Sequence, residues 1–177
     1  MRGMDSPFEI REARSDEAAA YNEFACDIFV KTYAAGNDPL LVSAHVVNTF
    51  GVTKLAAELC DPARCVLVVD AADNAWGAYV SMRVNEIPSS VGSANALEIE
   101  RFYVGQESHG RGVAQGLMQA TIDRAKAAGY DTVWLGVWQH NHRAIRFYQK
   151  MGFTHVGWHT FIFGGEPEDD YLMARRL

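Results

Sequence analysis

The chain has 177 residues, 49% of them hydrophobic and 21% charged, with a formal net charge of −6, as in an ordinary water-soluble domain with room for one sizeable core. That balance argues against nucleic acid, whose phosphates need clustered cations; no apolar run reaches the length of a membrane span, and no apolar signal core stands at the N-terminus. Cys26, Cys60 and Cys65 lack paired spacing, which argues against a disulfide framework and a zinc site, so the expectation is one domain over 1–177 in a reducing cytoplasm, without metal.

In chain order, "FEIREA" reads as a short strand, followed by helical patterns over 15–33 and 38–59. Asp38 and Pro39 form an N-cap and N1 pair for the second. "ARCVLVVDAADNAWGAYVSMRV" reads as two strands around a turn at Asp73 and Asn74. "EIPSSVGSANA" is a loop of small polar residues, expected to form a mobile rim. "LEIERFYV" alternates like a strand, which places Glu98, Glu100, Phe102 and Val104 on one face.

A helix follows "SHGRGVAQG" and is closed by Gly129. "DTVWLGVW" is a buried strand, and "NHRAIRFYQKM" a second helix closed by Gly152. "FTHVGWHTFIF" and "DYLMARRL" are strands joined by the acidic turn "GGEPEDD". Glu166, Glu168, Asp169 and Asp170 there either attract a polyamine or are simply solvated. The order βααββ, then βαβαββ, predicts an α/β fold with a mixed central sheet of about seven strands and about four flanking helices.

The glycine loop is built for an anion. Gly110 and Gly112 free the backbone to turn N–H groups toward one point. The helix starting near Val113 adds its unpaired N–H groups and positive dipole end, and Arg111 adds a charge. Small residues at Gly116 and Ala120 let a ligand lie close to its first turns, or let helix and sheet pack tightly. A dinucleotide fingerprint fits poorly, because Asp131 begins its strand instead of ending it, and no Lys-Ser/Thr pair follows to make a nucleotide P-loop.

On the second helix, Asn141 and Tyr148 lie seven residues apart on one face with the small Ala144 between them. They are a polar pair aimed at a gap, or a helix cap and a core tyrosine. His140 and His142 have no carboxylate or cysteine partner at a ligand spacing, so no metal is expected.

Residues 96 to 163 resemble the GNAT family of N-acetyltransferases. The likeness rests on "RFYV", on His109, Gly110, Arg111, Gly112, Val113 and Ala114 in the order of the family's central motif, and on the later "N…A…FY…GF". His109 stands where the family carries Gln or Arg, which would tie phosphate affinity to pH through this side chain. The resemblance implies the GNAT fold and acetyl-CoA as cosubstrate. Backbone groups of Phe102, Tyr103 and Val104 would hold the pantetheine arm, residues His109 to Ala114 would cradle the pyrophosphate, Asn141 would bond the cofactor, and Tyr148 would lie by the thioester sulfur.

It further implies a small-molecule amine as partner, attacking directly in a ternary complex, and is compatible with a homodimer. Glu98 sits where some members carry a general base, with Glu100 in reserve. A phenol near ~10 would give its proton to a thiol near ~8.5 at a cost of about 2 kcal/mol. The "WLGVWQHNHRAIRFYQKMGF" block and the "HTFIFG…DYLM" ending resemble bacterial polyamine acetyltransferases. The rivals are amino-acid or peptide amines, aminoglycosides, and a CoA-binding sensor without catalysis.

Overall fold

The computed structural model describes residues 8–71 and 75–177, which leaves the expected turn at Asp73 and Asn74 outside the described residues. Seven strands form one sheet in the order β1-β2-β3-β4-β5-β7-β6. They are β1 (Ile10–Glu12), β2 (Arg64–Asp70), β3 (Trp76–Arg83), β4 (Ala96–Val104), β5 (Thr132–Trp138), β6 (Thr154–Phe163) and β7 (Glu166–Arg176). Helices α1 (Ala18–Tyr33), α2 (Pro39–Thr49) and α3 (Val52–Leu59) supply one core; α4 (Val113–Ala127) and α5 (His142–Lys150) supply another. Tyr21, Phe29, Val42, Leu55, Val68 and Tyr79 are central to the first core, and Val80, Leu117, Ile122, Leu135 and Phe153 to the second.

Two expectations are corrected, and the small-residue loop gains a defined shape. The pattern over 38–59 is two helices, bent by 49°. Phe50 turns inward with extended backbone and Gly51 takes φ 135°, its N–H donating to Asn22 Oδ1 at 2.8 Å. The acidic run is no turn: β7 starts at Glu166, and only Gly164 and Gly165, both at positive φ, stand between it and β6. The loop expected to be a mobile rim carries a tight turn at Ser89–Val91 with Val91 buried. Ser90 packs where Gly157 of β6 has no side chain, so close that a Cβ there would meet Ser90 Oγ at 2.7 Å.

Two irregularities in β4 shape its surroundings. β4 and β5 are the parallel pair, and they pair only where Ala96–Glu98 meet Thr132–Trp134. Beyond that point β4 keeps β3 but has no pairing with β5, so a cleft opens toward Val104 and Trp138. Against β3, Met82 faces Ile99 while Ser81 faces Arg101, which makes Glu100 an extra, bulged residue.

The bulge overturns the single-face reading of "LEIERFYV". An extra residue exchanges the faces of everything after it. Phe102 and Val104 therefore join Leu97 and Ile99 against α4 and α5, while Arg101 and Tyr103 turn toward α1 and α3 with Glu98 and Glu100.

Candidate functional site

The cleft between β4 and β5 is the mouth of a cavity of about 980 Å³, lined by Phe102, Tyr103 and Val104 on one side and Leu135, Gly136 and Trp138 on the other. The β5-facing backbone of β4 beyond Glu98 has no ladder partner there, so an extended amide-bearing chain can bond to it as an added strand.

At one end the cavity shares Val104, His109, Ala114, Arg143 and Phe147 with a smaller pocket of about 180 Å³, whose wall includes Gly110, Gly112 and Val113. Gly110 and Gly112 take φ 73° and 79°, and the space where their Cβ atoms would stand is open. Gly112 is the N-cap of α4 and bears no capping side chain, which leaves the first N–H groups of the helix free for an anion. Arg111 is exposed on the loop.

The His109 ring is held between two neighbours. Arg143, which can only donate, donates Nη2–H to Nδ1 at 3.1 Å. The ring hydrogen then belongs on Nε2, which donates to the Val104 carbonyl at 3.0 Å. The ring thus pins the glycine loop to the end of β4. Of the two alternatives for Gly116, the geometry favours close packing, because a Cβ there would strike the Phe8 ring at 2.7 Å and approach Ile10 of β1 at 3.8 Å.

On α5, Asn141 is the N-cap, its Oδ1 accepting from Ala144 N–H at 3.1 Å. It lines the cavity together with Ala144 and Tyr148. Tyr148 is buried, set edge-on to Phe102 with ring centres 6.3 Å apart, and burial pushes its phenol well above the ordinary range.

Glu98 and Glu100 reach the cavity wall with their oxygens already engaged. Glu98 accepts from Arg83 at 2.5 and 3.2 Å and from Asn85 Nδ2 at 2.8 Å. Glu100 lies 2.5 Å from Arg64 and 2.6 Å from Arg83. Burial raises the Glu100 carboxyl, but Arg101, Arg64 and Arg83 outweigh it and hold it below the usual range.

Tyr33, His45 and Gly136 are among the lining residues that the sequence did not single out, and Asp170 lines the cavity too. His45 is buried, stacked on Phe29 with ring centres 4.5 Å apart, and bonded to Thr49 Oγ1 at 3.1 Å. Gly136 is exposed in a strand whose neighbours Leu135 and Val137 are buried. A glycine inside an apolar strand pattern was the available signal for close approach. Among the described residues no group of three or more His, Cys, Asp or Glu could hold a metal ion, and no single helix is long and apolar enough to cross a membrane.

Comparison with known proteins converges on one family. The Acetyltransferase (GNAT) family model matches residues 29–153. An uncharacterised N-acetyltransferase of Mycobacterium tuberculosis is 30% identical over 167 residues, covering 92% of this chain and 97% of that one. In fold, the chain is similar to the PaiA N-acetyltransferase of Thermoplasma acidophilum, solved with coenzyme A, at a TM-score of 0.77 and 20% identity over 96% of this chain and 99% of that one. It is also similar to YncA of Salmonella typhimurium, solved with acetyl-CoA as its cofactor, at a TM-score of 0.67 and 24% identity over 97% and 95%.

Proposed function

The chain belongs to the GNAT acetyltransferase family, and from that premise we propose that it carries acetyl from acetyl-CoA to a cationic primary amine of a small molecule, with a polyamine as the first candidate. The observation that carries this reading is the continuity of the site. An anion cradle at the start of α4 leads into a cleft bordered by unpaired β4 backbone, and the cleft opens onto a wall that holds Glu168 and Asp170.

The fit to the cosubstrate rests on three features: open space above Gly110 and Gly112, uncapped N–H groups at α4, and β4 backbone that no longer pairs with β5 beyond Glu98. Acetyl-CoA supplies the acyl group as a thioester, already activated for attack by an amine. Residues Gly110 to Ala114 bind the pyrophosphate through backbone N–H groups, His109 N–H being already donated to the Gln106 carbonyl, so an overall acidic protein holds an anion locally. Backbone groups of Phe102, Tyr103 and Val104 align the extended arm, with an N–H at Tyr103 or Val104 directed at the developing oxyanion. Asn141 fixes the start of α5 beside the arm, and Tyr148 donates a hydrogen bond to the sulfur.

The acid wall favours a cationic acceptor over a neutral or anionic one. Mass-spectrometric detection of acetylated products tests this with acetyl-CoA and a panel of spermidine, spermine, amino acids, short peptides and aminoglycosides. A dominant acetylated polyamine is the expected result. A dominant product from the amino acids or peptides would keep the chemistry and discard the polyamine.

A further inference from the structure

Asp170 is a buried carboxylate with no partner. It is 8% exposed, and among the described residues it makes no hydrogen bond or ion pair. Burying a charge without compensation is costly, so its position calls for a ligand.

The surroundings say which kind. Asp170 lines the cavity on β7, across the strand pair from His159 of β6 and Trp138 of β5. Its Oδ2 lies 3.4 Å from the point where a Gly136 Cβ would stand, and His159 Nε2 lies 3.1 Å from the same point. The missing side chain of Gly136 lets the Asp170 carboxylate and the His159 ring close over the β5 backbone, where all three line the cavity. The titratable groups facing Asp170 are Glu168 and Asp169 of its own strand, His159 of β6, and Tyr33 of α1, whose phenol is raised by burial and then by the Asp170 charge. No lysine or arginine is among them.

We propose that Asp170 holds the acceptor ammonium in the cavity beside Gly136 and takes the proton that frees its lone pair. The inference rests on the acetyl-transfer reading above. One N–H bond of the ammonium breaks, its electron pair stays on nitrogen and the proton moves to the Asp170 carboxylate. The nitrogen then forms its bond to the acetyl carbon, the carbon–sulfur bond breaks and its electron pair leaves with sulfur. The nitrogen loses a second proton, sulfur gains one to become the thiol, and the proton on Asp170 passes to water. Burial, followed by the charges of Glu168 and Asp169, pushes the Asp170 carboxyl up to about 6, roughly a hundredfold stronger as a base than an ordinary aspartate. Glu98 and Glu100 have no such freedom, because arginines occupy their oxygens.

The test compares wild type, Asp170→Asn, Asp170→Glu and Glu98→Gln. Spermidine is the cationic acceptor, and trifluoroethylamine is one largely neutral at the assay pH. Calorimetry measures coenzyme A binding and spermidine binding to the coenzyme A-saturated protein. Asp170→Asn should lower kcat/KM for spermidine by about 100-fold or more and remove the loss of activity below about pH 6. It should also weaken spermidine binding, with coenzyme A affinity and acetylation of trifluoroethylamine kept. Asp170→Glu should recover part of the activity, and Glu98→Gln should keep the acid limb. An Asp170→Asn protein that keeps wild-type spermidine kinetics and acid limb overturns the Asp170 assignment alone, as does an equal loss with both amines. A wild type that binds no coenzyme A overturns the functional reading and this inference together; one that binds acetyl-CoA and acetylates neither amine overturns this inference and discards the polyamine.

Discussion

Tyr148 and Asp170 are both displaced from their ordinary acidity by burial, with opposite consequences for what each can do. A phenol raised further above its usual range gives up its proton less readily. The step costing about 2 kcal/mol for an unperturbed pair becomes steeper, and a hydrogen bond to the leaving sulfur takes over. Removing one hydrogen bond to a charged group costs about 1.5–3 kcal/mol. Tyr148→Phe should therefore lower kcat by roughly 10- to 100-fold, with coenzyme A affinity nearly unchanged and no new pH limb; wild-type kcat would leave Tyr148 as packing. For Asp170 the displacement also bears on stability. Its folded value of about 6 lies above the ordinary 3.8. Stability associated with the neutral form is then fully present below about pH 4 and lost as pH rises through 6. Asp170→Asn should make the protein more stable at pH 8 by about 3 kcal/mol, raising Tm by several degrees, and should bring no gain at pH 4. Thermal melts at the two pH values check both signs.

At the scale of single elements, the glycine loop and the bulged strand divide the work of holding the cosubstrate. Gly112 has open space where a Cβ would go, so Gly112→Ala adds no clash; its cost is the left-handed backbone at φ 79°, about 1 kcal/mol or more. Relief of that strain turns the first α4 N–H groups away from the cradle. Coenzyme A affinity should fall about tenfold while Tm moves little, and unchanged affinity would take the pyrophosphate away from this loop. Gly136→Ala acts at the other end, where the new methyl meets His159 Nε2 at 3.1 Å. It should raise KM for the amine and spare coenzyme A. Much of this half of the fold was legible in the sequence, because α4 and α5 carry clear apolar arcs closed by Gly129 and Gly152, both at positive φ. The bulge at Glu100 was not legible, since an extra residue leaves the letters of "LEIERFYV" alternating as before. Nor was the break at Gly51, where the apolar rhythm runs straight through the bend, or Asp170, whose acidic neighbours make a strand start look like a solvated turn.

Across the whole molecule, the two cores lie on opposite faces of one sheet, and charge ties α3 to the face that carries the acid wall. Arg101, after the bulge, donates to Glu58 of α3 through two nitrogens at 2.7 and 3.0 Å and to the Tyr21 hydroxyl oxygen of α1 at 3.0 Å. Its guanidinium lies 5.4 Å from the centre of the Phe50 ring, at the turn between α2 and α3. Arg64 and Arg83 continue the lattice through Glu100 and Glu98 toward the cleft. One planar cation therefore holds α1, α3 and the turn before α3 against the strand that lines the cofactor cleft, a geometry that lysine's single ammonium does not reproduce. Breaking a buried ion pair from one side leaves its partner charge uncompensated, at about 3–5 kcal/mol. Arg101→Ala should lower Tm by roughly 10 °C. The loss should also be local at first: amide exchange should quicken in α1–α3 before it quickens in β5–β7 and α4, which keep their own core. Uniform acceleration across both halves would mean that the sheet, and not this charge lattice, sets the stability of the acceptor side.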